Sequence, residues 1–222
     1  MTLARPDIRH PRIVLAGQSG AAPADDAGLL AALRRRGLPA HWLAWDDLAT
    51  LRADLVIVRA AGADRSGQFL AWTKRVRHLL NTADVLAWNT DRRYLLDLQQ
   101  AGVPTTAATA DATTALVFLG GAQSHAFTPQ TSVEPDFQLW DIGRAALRAA
   151  AERLGFGVDR LLYARADVTD DARLVGLDLV APILGWGQLD AASREIAERQ
   201  FAVCVESALE RLGFGPFSHR RP

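Results

Sequence analysis

Short apolar runs alternate with amphipathic segments through the first half of the chain. Four runs predict β-strands, at residues 12–16, 40–45, 54–60 and 84–88. Between them, apolar residues with helical spacing predict helices from Asp25-Asp26 to about residue 36, over 67–80 and over 90–100. This alternation predicts an α/β unit with a parallel, Rossmann-like sheet that carries helices on both faces.

The loops that follow the predicted strands form a first candidate site. Carboxyl ends of parallel strands meet at one edge of a sheet, and such folds bind their ligands there. The loops concerned are 17–20, 45–47, 59–64 and 89–92. The first loop contains glycines, but Gly-Gln-Ser-Gly is neither a dinucleotide fingerprint nor a P-loop.

The pattern changes after residue 104. Residues 105–114 are small and polar, which is typical of a linker, so we predict domains at 1–104 and 115–222. The second domain is predicted to be α+β with antiparallel strands. Its predicted elements are a hairpin over 115–127, a helix over 137–154, a hairpin over 161–184 and a helix over 189–212.

The hairpin over 161–184 carries the strongest candidate chemistry. Side chains alternate along a strand, so Arg165 and Asp167 share one face of the first arm. Asp178 joins them if the second arm pairs with its matching face. One cation and two carboxylates in this position suit either a metal site or an ion-pair cluster on a solvated sheet, and spacing alone favours the ion-pair cluster.

Composition narrows the class of protein. Hydrophobic residues make up 49% and charged residues 23% of the 222 residues, which is the balance of a folded globular chain. The formal net charge is zero, which argues against a nucleic acid or an anionic membrane as partner. We therefore interpret the arginine clusters at 34–36 and 220–221 as solvated surface.

The absence of a recognisable targeting signal and the single cysteine predict a cytoplasmic protein. No run approaches the roughly 18 apolar residues of a membrane span, and the first residues lack the apolar centre of a signal peptide. The single cysteine, Cys204, has no partner for an internal disulfide and lies in an apolar run that indicates packing.

Several motifs, taken in order, resemble the ATP-grasp superfamily, in particular its glutathione-synthetase-like and ribosomal-protein-glutamate-ligase-like members. Residues 88–95 resemble the Trp-Asn-x-Asp-Lys-x-Tyr-Leu motif, and residues 120–126 resemble Gly-Gly-Glu-x-Ser-His-Ala. Residues 163–167 resemble the strand that bears a catalytic arginine and a magnesium-binding carboxylate. The resemblance implies a pre-ATP-grasp domain followed by an ATP-grasp domain.

The resemblance also implies roles for individual residues. Enzymes of this superfamily phosphorylate a carboxylate with ATP, and an amine then attacks the acyl phosphate. The implied catalytic residues are Arg165 and His125, although a lone histidine in a strand is more often a structural hydrogen-bond donor. The implied cofactor-binding residues are Asn89, Asp91 and Arg92, the substrate-binding residues Arg59 and Ser124, and the metal ligands Asp167 and Asp178.

Departures from the family pattern concern the nucleotide and the metal. Only 11 residues, 105–115, stand where the family has its central nucleotide-lid subdomain, and a unit with its own core needs about 40 residues. Arg92 replaces a phosphate-contacting lysine, and Lys74 is the only lysine of the chain. The pattern Glu-x-Glu-x-x-Glu-Pro becomes residues 176–182, in which Asp178 is the one acid, and Ala122 replaces a further glutamate.

Three functional hypotheses follow. The leading one is a degenerate ATP-grasp-like protein without ligase activity, which needs no cofactor and acts as a small-molecule-binding or partner subunit, either as a homo-oligomer or beside an intact ATP-grasp homologue. The alternative is an active ATP-dependent carboxylate–amine ligase, using Mg²⁺ and ATP, whose missing elements come from a second chain or whose site is repurposed. A third is a module that binds a small acidic metabolite at Arg59, Asn89 and Arg92.

Overall fold

A parallel sheet forms the N-terminal half of the fold. The computed structural model describes residues 11–60, 67–106 and 113–214. Its first sheet contains strands β1 (Ile13–Gly17), β2 (Ala40–Ala44), β3 (Leu55–Val58) and β4 (Leu79–Leu80). All pairs are parallel and the strand order is β2-β1-β3-β4. Every residue of β1 and β3 is buried, as expected for central strands with both faces covered.

Short helices connect and follow these strands. They are α1 (Leu29–Arg35), α2 (Gly67–Thr73), α3 (Ala83–Thr90) and α4 (Tyr94–Gln100). Helix α1 ends with Arg34 and Arg35, whose charge suits the carboxyl end of a helix, and Gly37 follows with a left-handed φ of 71°. The predicted alternation of strands and helices is therefore confirmed for β1, β2 and β3.

The predicted fourth strand is wrong. Residues 84–88 lie inside α3, and the strand that pairs with β3 is the two-residue β4, within the segment that we predicted to be helix 67–80. The prediction rested on run length, and a short run with four apolar residues after Asp84 fits a buried strand and one side of a short helix equally well. In consequence, residues 89–92 do not follow a strand.

An antiparallel sheet forms the second half. Its strands are β5 (Thr114–Leu119), β6 (Ala122–Phe127), β7 (Ser132–Val133), β8 (Tyr163–Val168) and β9 (Leu174–Asp178), in the order β7-β6-β5-β8-β9. Gly120 and Gly121 join β5 to β6 with φ angles of 60° and 77°, the backbone that a two-residue hairpin turn requires. Both predicted hairpins and the helices α5 (Phe137–Leu154) and α6 (Ala191–Arg211) are confirmed.

The two faces of this sheet pack differently. Leu116, Phe118 and Ala164 belong to a core that includes the buried side of α5. Val117 and Tyr163, on the opposite face, share a core with Phe201 of α6 and with residues of β1 and β3. The two sheets therefore pack into one continuous apolar core; the domain limits at 104 and 115 remain a prediction, and residues 107–112 of the linker lie outside the described residues.

No helix within the described ranges is both long enough and apolar enough to cross a membrane. The N-terminal residues 1–10 and the basic pair Arg220-Arg221 lie outside those ranges.

Asn81 joins the two sheets. Its side chain is fully buried directly after β4. The amide nitrogen donates to the carbonyl oxygens of Tyr163 (3.0 Å) and Leu179 (2.8 Å), and the amide oxygen accepts from the backbone N–H of Leu162 (2.8 Å). One side chain thus satisfies three backbone groups of the antiparallel unit from a position in the parallel unit.

Replacing Asn81 tests how strongly this contact stabilises the fold. Asn81→Ala removes three buried hydrogen bonds and leaves their backbone partners unsatisfied. We expect the free energy of unfolding to fall by roughly 3 kcal/mol, measured by urea denaturation. Gln99→Ala, at an exposed position of α4, is the control and should change stability little. A fall for Asn81→Ala no larger than that of the control would contradict this role.

Candidate functional site

The cluster predicted on the 161–184 hairpin exists. The register pairs Arg165 directly with Asp178, and Asp167 with Gly176. Arg165 Nε donates to Asp167 Oδ1 at 2.7 Å, and each of these two side chains keeps about a quarter of its surface exposed (26% and 24%). The Arg165 guanidinium also lies 5.4 Å from the centre of the Phe127 ring. The three charged side chains therefore meet on one half-buried face of the sheet.

Both carboxylates of this cluster are engaged by the protein itself. Asp178 Oδ1 accepts hydrogen bonds from the backbone N–H groups of Val180 (2.8 Å) and Ala181 (3.2 Å), and so caps the turn after β9. Burial raises the pKa of Asp167, as does the neighbouring Asp178 carboxylate, while the Arg165 ion pair opposes the rise.

A magnesium ion at this cluster would have to compete with partners that the carboxylates already have. Mg²⁺ prefers octahedral oxygen ligands, with carboxylates free to coordinate it. Here one carboxylate is bound to a guanidinium and the other to backbone amides. Within the described ranges, no group of three or more His, Cys, Asp or Glu side chains is arranged to hold a metal ion.

Asn89, a predicted cofactor contact, is buried against the edge of the second sheet. Its amide nitrogen donates to the carbonyl oxygen of Leu177 (2.8 Å), and its amide oxygen accepts from the N–H of Leu179 (2.7 Å). The Tyr94 hydroxyl accepts from the N–H of Leu177 at 3.1 Å. Two residues of the 88–95 motif therefore hydrogen-bond to β9 and the residue after it; β9 is the last strand in the order of this sheet.

Asp91 and Arg92 lie in the turn between α3 and α4. Asp91 accepts from the N–H of Arg93 (3.0 Å) and forms an ion pair with its guanidinium (2.6 Å), which lowers the pKa of Asp91. The predicted helix over 90–100 is therefore interrupted: residue 90 ends α3, and α4 begins at Tyr94. Arg92 is exposed in the same turn. The structure thus separates Arg92, which faces solvent, from the buried Asn89.

Arg59, which is predicted to bind substrate, is buried inside the protein. Its Nε and Nη2 atoms each donate to one carboxylate oxygen of Asp26, both at 3.0 Å, and the two side chains are 1% and 2% exposed. Nη2 also donates to the carbonyl oxygen of Pro182 (2.9 Å). Burial lowers the pKa of Arg59, but the Asp26 carboxylate more than offsets this and the net shift is upward. The remaining residues of loop 59–64, from 61 onwards, lie outside the described residues.

Asp25 and Asp26 are the residues whose role the sequence did not reveal. The sequence predicts that the pair starts a helix, and it does lie in a short 3-10 helix, Ala24–Asp26, before α1. In addition, the Asp25 carboxylate accepts from the N–H groups of Leu184 (3.2 Å), Gly185 (3.0 Å) and Gly187 (3.0 Å). These three N–H groups lie about 160 residues further along the chain than Asp25, so no local pattern could indicate the contacts.

His125 and Ser124 form a hydrogen-bonded chain at the end of β6. His125 Nε2 lies 2.6 Å from the carbonyl oxygen of Leu184, and Nδ1 lies 3.0 Å from Ser124 Oγ. A carbonyl oxygen can only accept, so Nε2 carries the proton, and in the neutral ring Nδ1 accepts from the Ser124 hydroxyl. Burial between the rings of Phe127 and Trp186 lowers the pKa of His125. Both ring nitrogens of His125 are therefore engaged within the protein.

Comparison with known structures identifies the architecture. The crystal structure of D-cycloserine synthetase DcsG matches with a TM-score of 0.74 at 20% identity, covering 89% of this chain and 99% of that chain. The RimK domain ATP-grasp protein from Sphaerobacter thermophilus DSM 20745 matches with a TM-score of 0.59 at 14% identity, covering 87% and 98%. The chain has the ATP-grasp fold. The fold that the motif resemblance implies is thereby confirmed.

Sequence comparison places the similarity in the N-terminal part of the chain. The family model for the N-terminal domain of D-cycloserine synthetase DcsG matches residues 13–81. Cycloserine biosynthesis protein DcsG of Streptomyces lavendulae is 36% identical over 83 residues, which are 34% of this chain and 28% of that protein. The matched region contains β1 to β4, Asp26, Arg59 and Asn81, and it ends before the 88–95 motif.

Acidification should destabilise the protein through His125. The folded state lowers the pKa of His125, so the unfolded chain binds the proton more readily. The stability gained from the neutral ring is complete above the unfolded value of about 6.5 and is lost as the pH falls through the lowered folded value. We therefore expect the loss of unfolding free energy between about pH 7.5 and about pH 5 to be smaller in His125→Gln than in the wild type.

The matched control is His41→Gln, at an exposed position of β2. It should keep the wild-type difference between the two pH values, measured by urea denaturation monitored by tryptophan fluorescence. An unchanged difference in His125→Gln would show that the buried ring does not link protonation to folding.

Proposed function

We propose that this ATP-grasp-fold protein does not carry out ATP-dependent ligation by itself and acts as a small-molecule-binding or partner subunit. The observation that carries the proposal is that residues at the family's site positions form hydrogen bonds with other parts of the chain. Asn89 is bound to β9, Arg59 to Asp26, and Asp178 to the turn that follows β9. Recruiting these groups to Mg–ATP would break buried or capping hydrogen bonds.

The length of the central connection supports the same proposal. The described chain runs from α4 through Val103 to β5, which begins at Thr114. The intervening residues are far fewer than the roughly 40 of a unit with its own core. An adenine pocket and its phosphate-binding cation would therefore have to come from elsewhere, and in the chain itself Lys74 is the single lysine.

The half-buried face around Arg165 is the part of the site that remains available. Arg165 and Asp167 retain about a quarter of their side-chain surface, whereas Arg59 retains 1%. We infer that this face meets either a small acidic molecule or an intact ATP-grasp homologue. Under this proposal, only such a second chain would bind Mg²⁺ and ATP.

The alternative is an active carboxylate–amine ligase completed by that second chain. It is favoured by the convergence of Arg165, Asp167 and Asp178 and by the relationship of residues 13–81 to a synthetase. Under this alternative, the chain would supply the guanidinium and carboxylates and its partner the nucleotide lid.

Thermal shift with Mg–ATP tests the proposal directly. A ligand at 100 times its dissociation constant stabilises a protein by about 2.7 kcal/mol, which is roughly 5–10 °C for a chain of this size. We expect no such shift with millimolar Mg–ATP, while DcsG of Streptomyces lavendulae, measured in parallel, serves as the positive control. A clear shift for the isolated chain would refute the proposal.

Turnover separates the proposal from the alternative. Release of ADP or phosphate is measured for the chain alone, for an intact ATP-grasp homologue alone and for their mixture, with a panel of amino acids as substrates. We expect no turnover from the chain alone. Turnover in the mixture that exceeds the homologue alone and disappears with Arg165→Ala would establish the two-chain ligase instead.

A further inference from the structure

Two adjoining cavities lie on the seam between the two sheets, away from the Arg165 face. Their volumes are about 180 and 330 Å³. Both are lined by Leu80, Arg160, Ala208 and Arg211, so they form one cleft, which we call the seam cleft. Its walls come from β4, from the start of α3, from the turn before β8 and from the last turns of α6.

Positive charge predominates in the seam cleft. Arg160 and Arg211 line both cavities, and Arg77 lines the larger one. None of these guanidiniums forms a hydrogen bond or an ion pair with the described residues. Asp84 and Asp159 are the carboxylates of the lining, so three cations face two anions. Unpaired guanidiniums with donors directed at one space bind oxyanions such as phosphate and carboxylate well.

The base of the seam cleft is apolar. Leu79, Leu80 and Leu162 line it and are almost completely buried. At the rim, His78 packs against Phe214 with ring centres 5.6 Å apart. A ligand made of one charged group alone would leave this apolar surface unused, whereas an anion with an apolar body would cover it.

We propose that the seam cleft binds a small molecule composed of a phosphate or carboxylate group and an apolar body. The oxyanion lies between Arg160 and Arg211, and the body packs on Leu80 and Leu162. Leu80 directly precedes Asn81, and Leu162 donates its N–H to the Asn81 amide oxygen. The ligand therefore touches both sheets where they are joined, and its site is separate from the one in the proposed function.

Cys204 provides a built-in reporter. It is the single cysteine of the chain and lines the smaller cavity beside Arg211. The rate of alkylation by neutral iodoacetamide, followed by intact-protein mass spectrometry at alkaline pH, measures access to the cleft. Phenyl phosphate is the probe, because it joins an oxyanion to an apolar ring. At about ten times its dissociation constant it should slow alkylation roughly tenfold.

Matched variants identify the site of protection. Arg160→Ala/Arg211→Ala should abolish protection, expressed as the ratio of rates without and with the probe. Arg199→Ala, an exposed position on the same helix, and Arg165→Ala, in the candidate site, should both keep it. If the double alanine variant fails to fold, Arg160→Gln/Arg211→Gln provides the same test.

Four outcomes would overturn the proposal. The first is unchanged alkylation of the wild type with phenyl phosphate. The second is protection that survives in the folded double variant. The third is equal protection by benzyl alcohol, which has the ring without the charge. Loss of protection in Arg165→Ala alone would likewise assign the anion to the candidate site and remove it from the seam cleft.

Discussion

The buried ion pair between Arg59 and Asp26 is the interaction on which the rest of the structure depends. It links the end of β3 to the segment before α1, and through Pro182 and Trp186 it holds the chain that follows β9. Removing one partner of such a pair typically costs 3–5 kcal/mol, because the other charge stays buried without compensation. The position of the antiparallel sheet relative to the parallel sheet therefore depends on a fully buried pair of charges.

Other polar residues extend this constraint along the seam. Asn81 and Asn89 bind backbone groups of β8 and β9, and Asp25 holds the loop at 184–187. The Tyr163 hydroxyl reaches the carbonyl oxygens of Val58, Leu80 and Val180, and burial raises its pKa. Arg59 and Asn89, to which the family resemblance assigned ligand contacts, thus form hydrogen bonds between distant segments of the chain.

Local patterns were sufficient to predict much of this fold. Alternating runs predicted β1 to β3, the Gly120-Gly121 turn predicted the β5–β6 hairpin, and period-two spacing brought Arg165, Asp167 and Asp178 together. The failure at 84–88 has a physical reason, since burial on one side of a short helix imitates a strand.

The roles of the buried polar residues could not be predicted from the sequence, for a different reason. Asn89 and its partners are separated by about 90 residues, and Arg59 and Pro182 by 123. Nothing near Asn81 in the sequence indicates that its amide will satisfy three backbone groups. Such contacts depend on how the sheets pack, which local patterns do not specify.

A crystal structure of the protein soaked with Mg²⁺ and a non-hydrolysable ATP analogue would test the central claim most directly. The account predicts that Asp167 stays paired with Arg165, that Asp178 keeps its contacts with the turn after β9, and that no nucleotide is held within a single protomer. A nucleotide bound inside one protomer, with a divalent ion between Asp167 and Asp178, would contradict it.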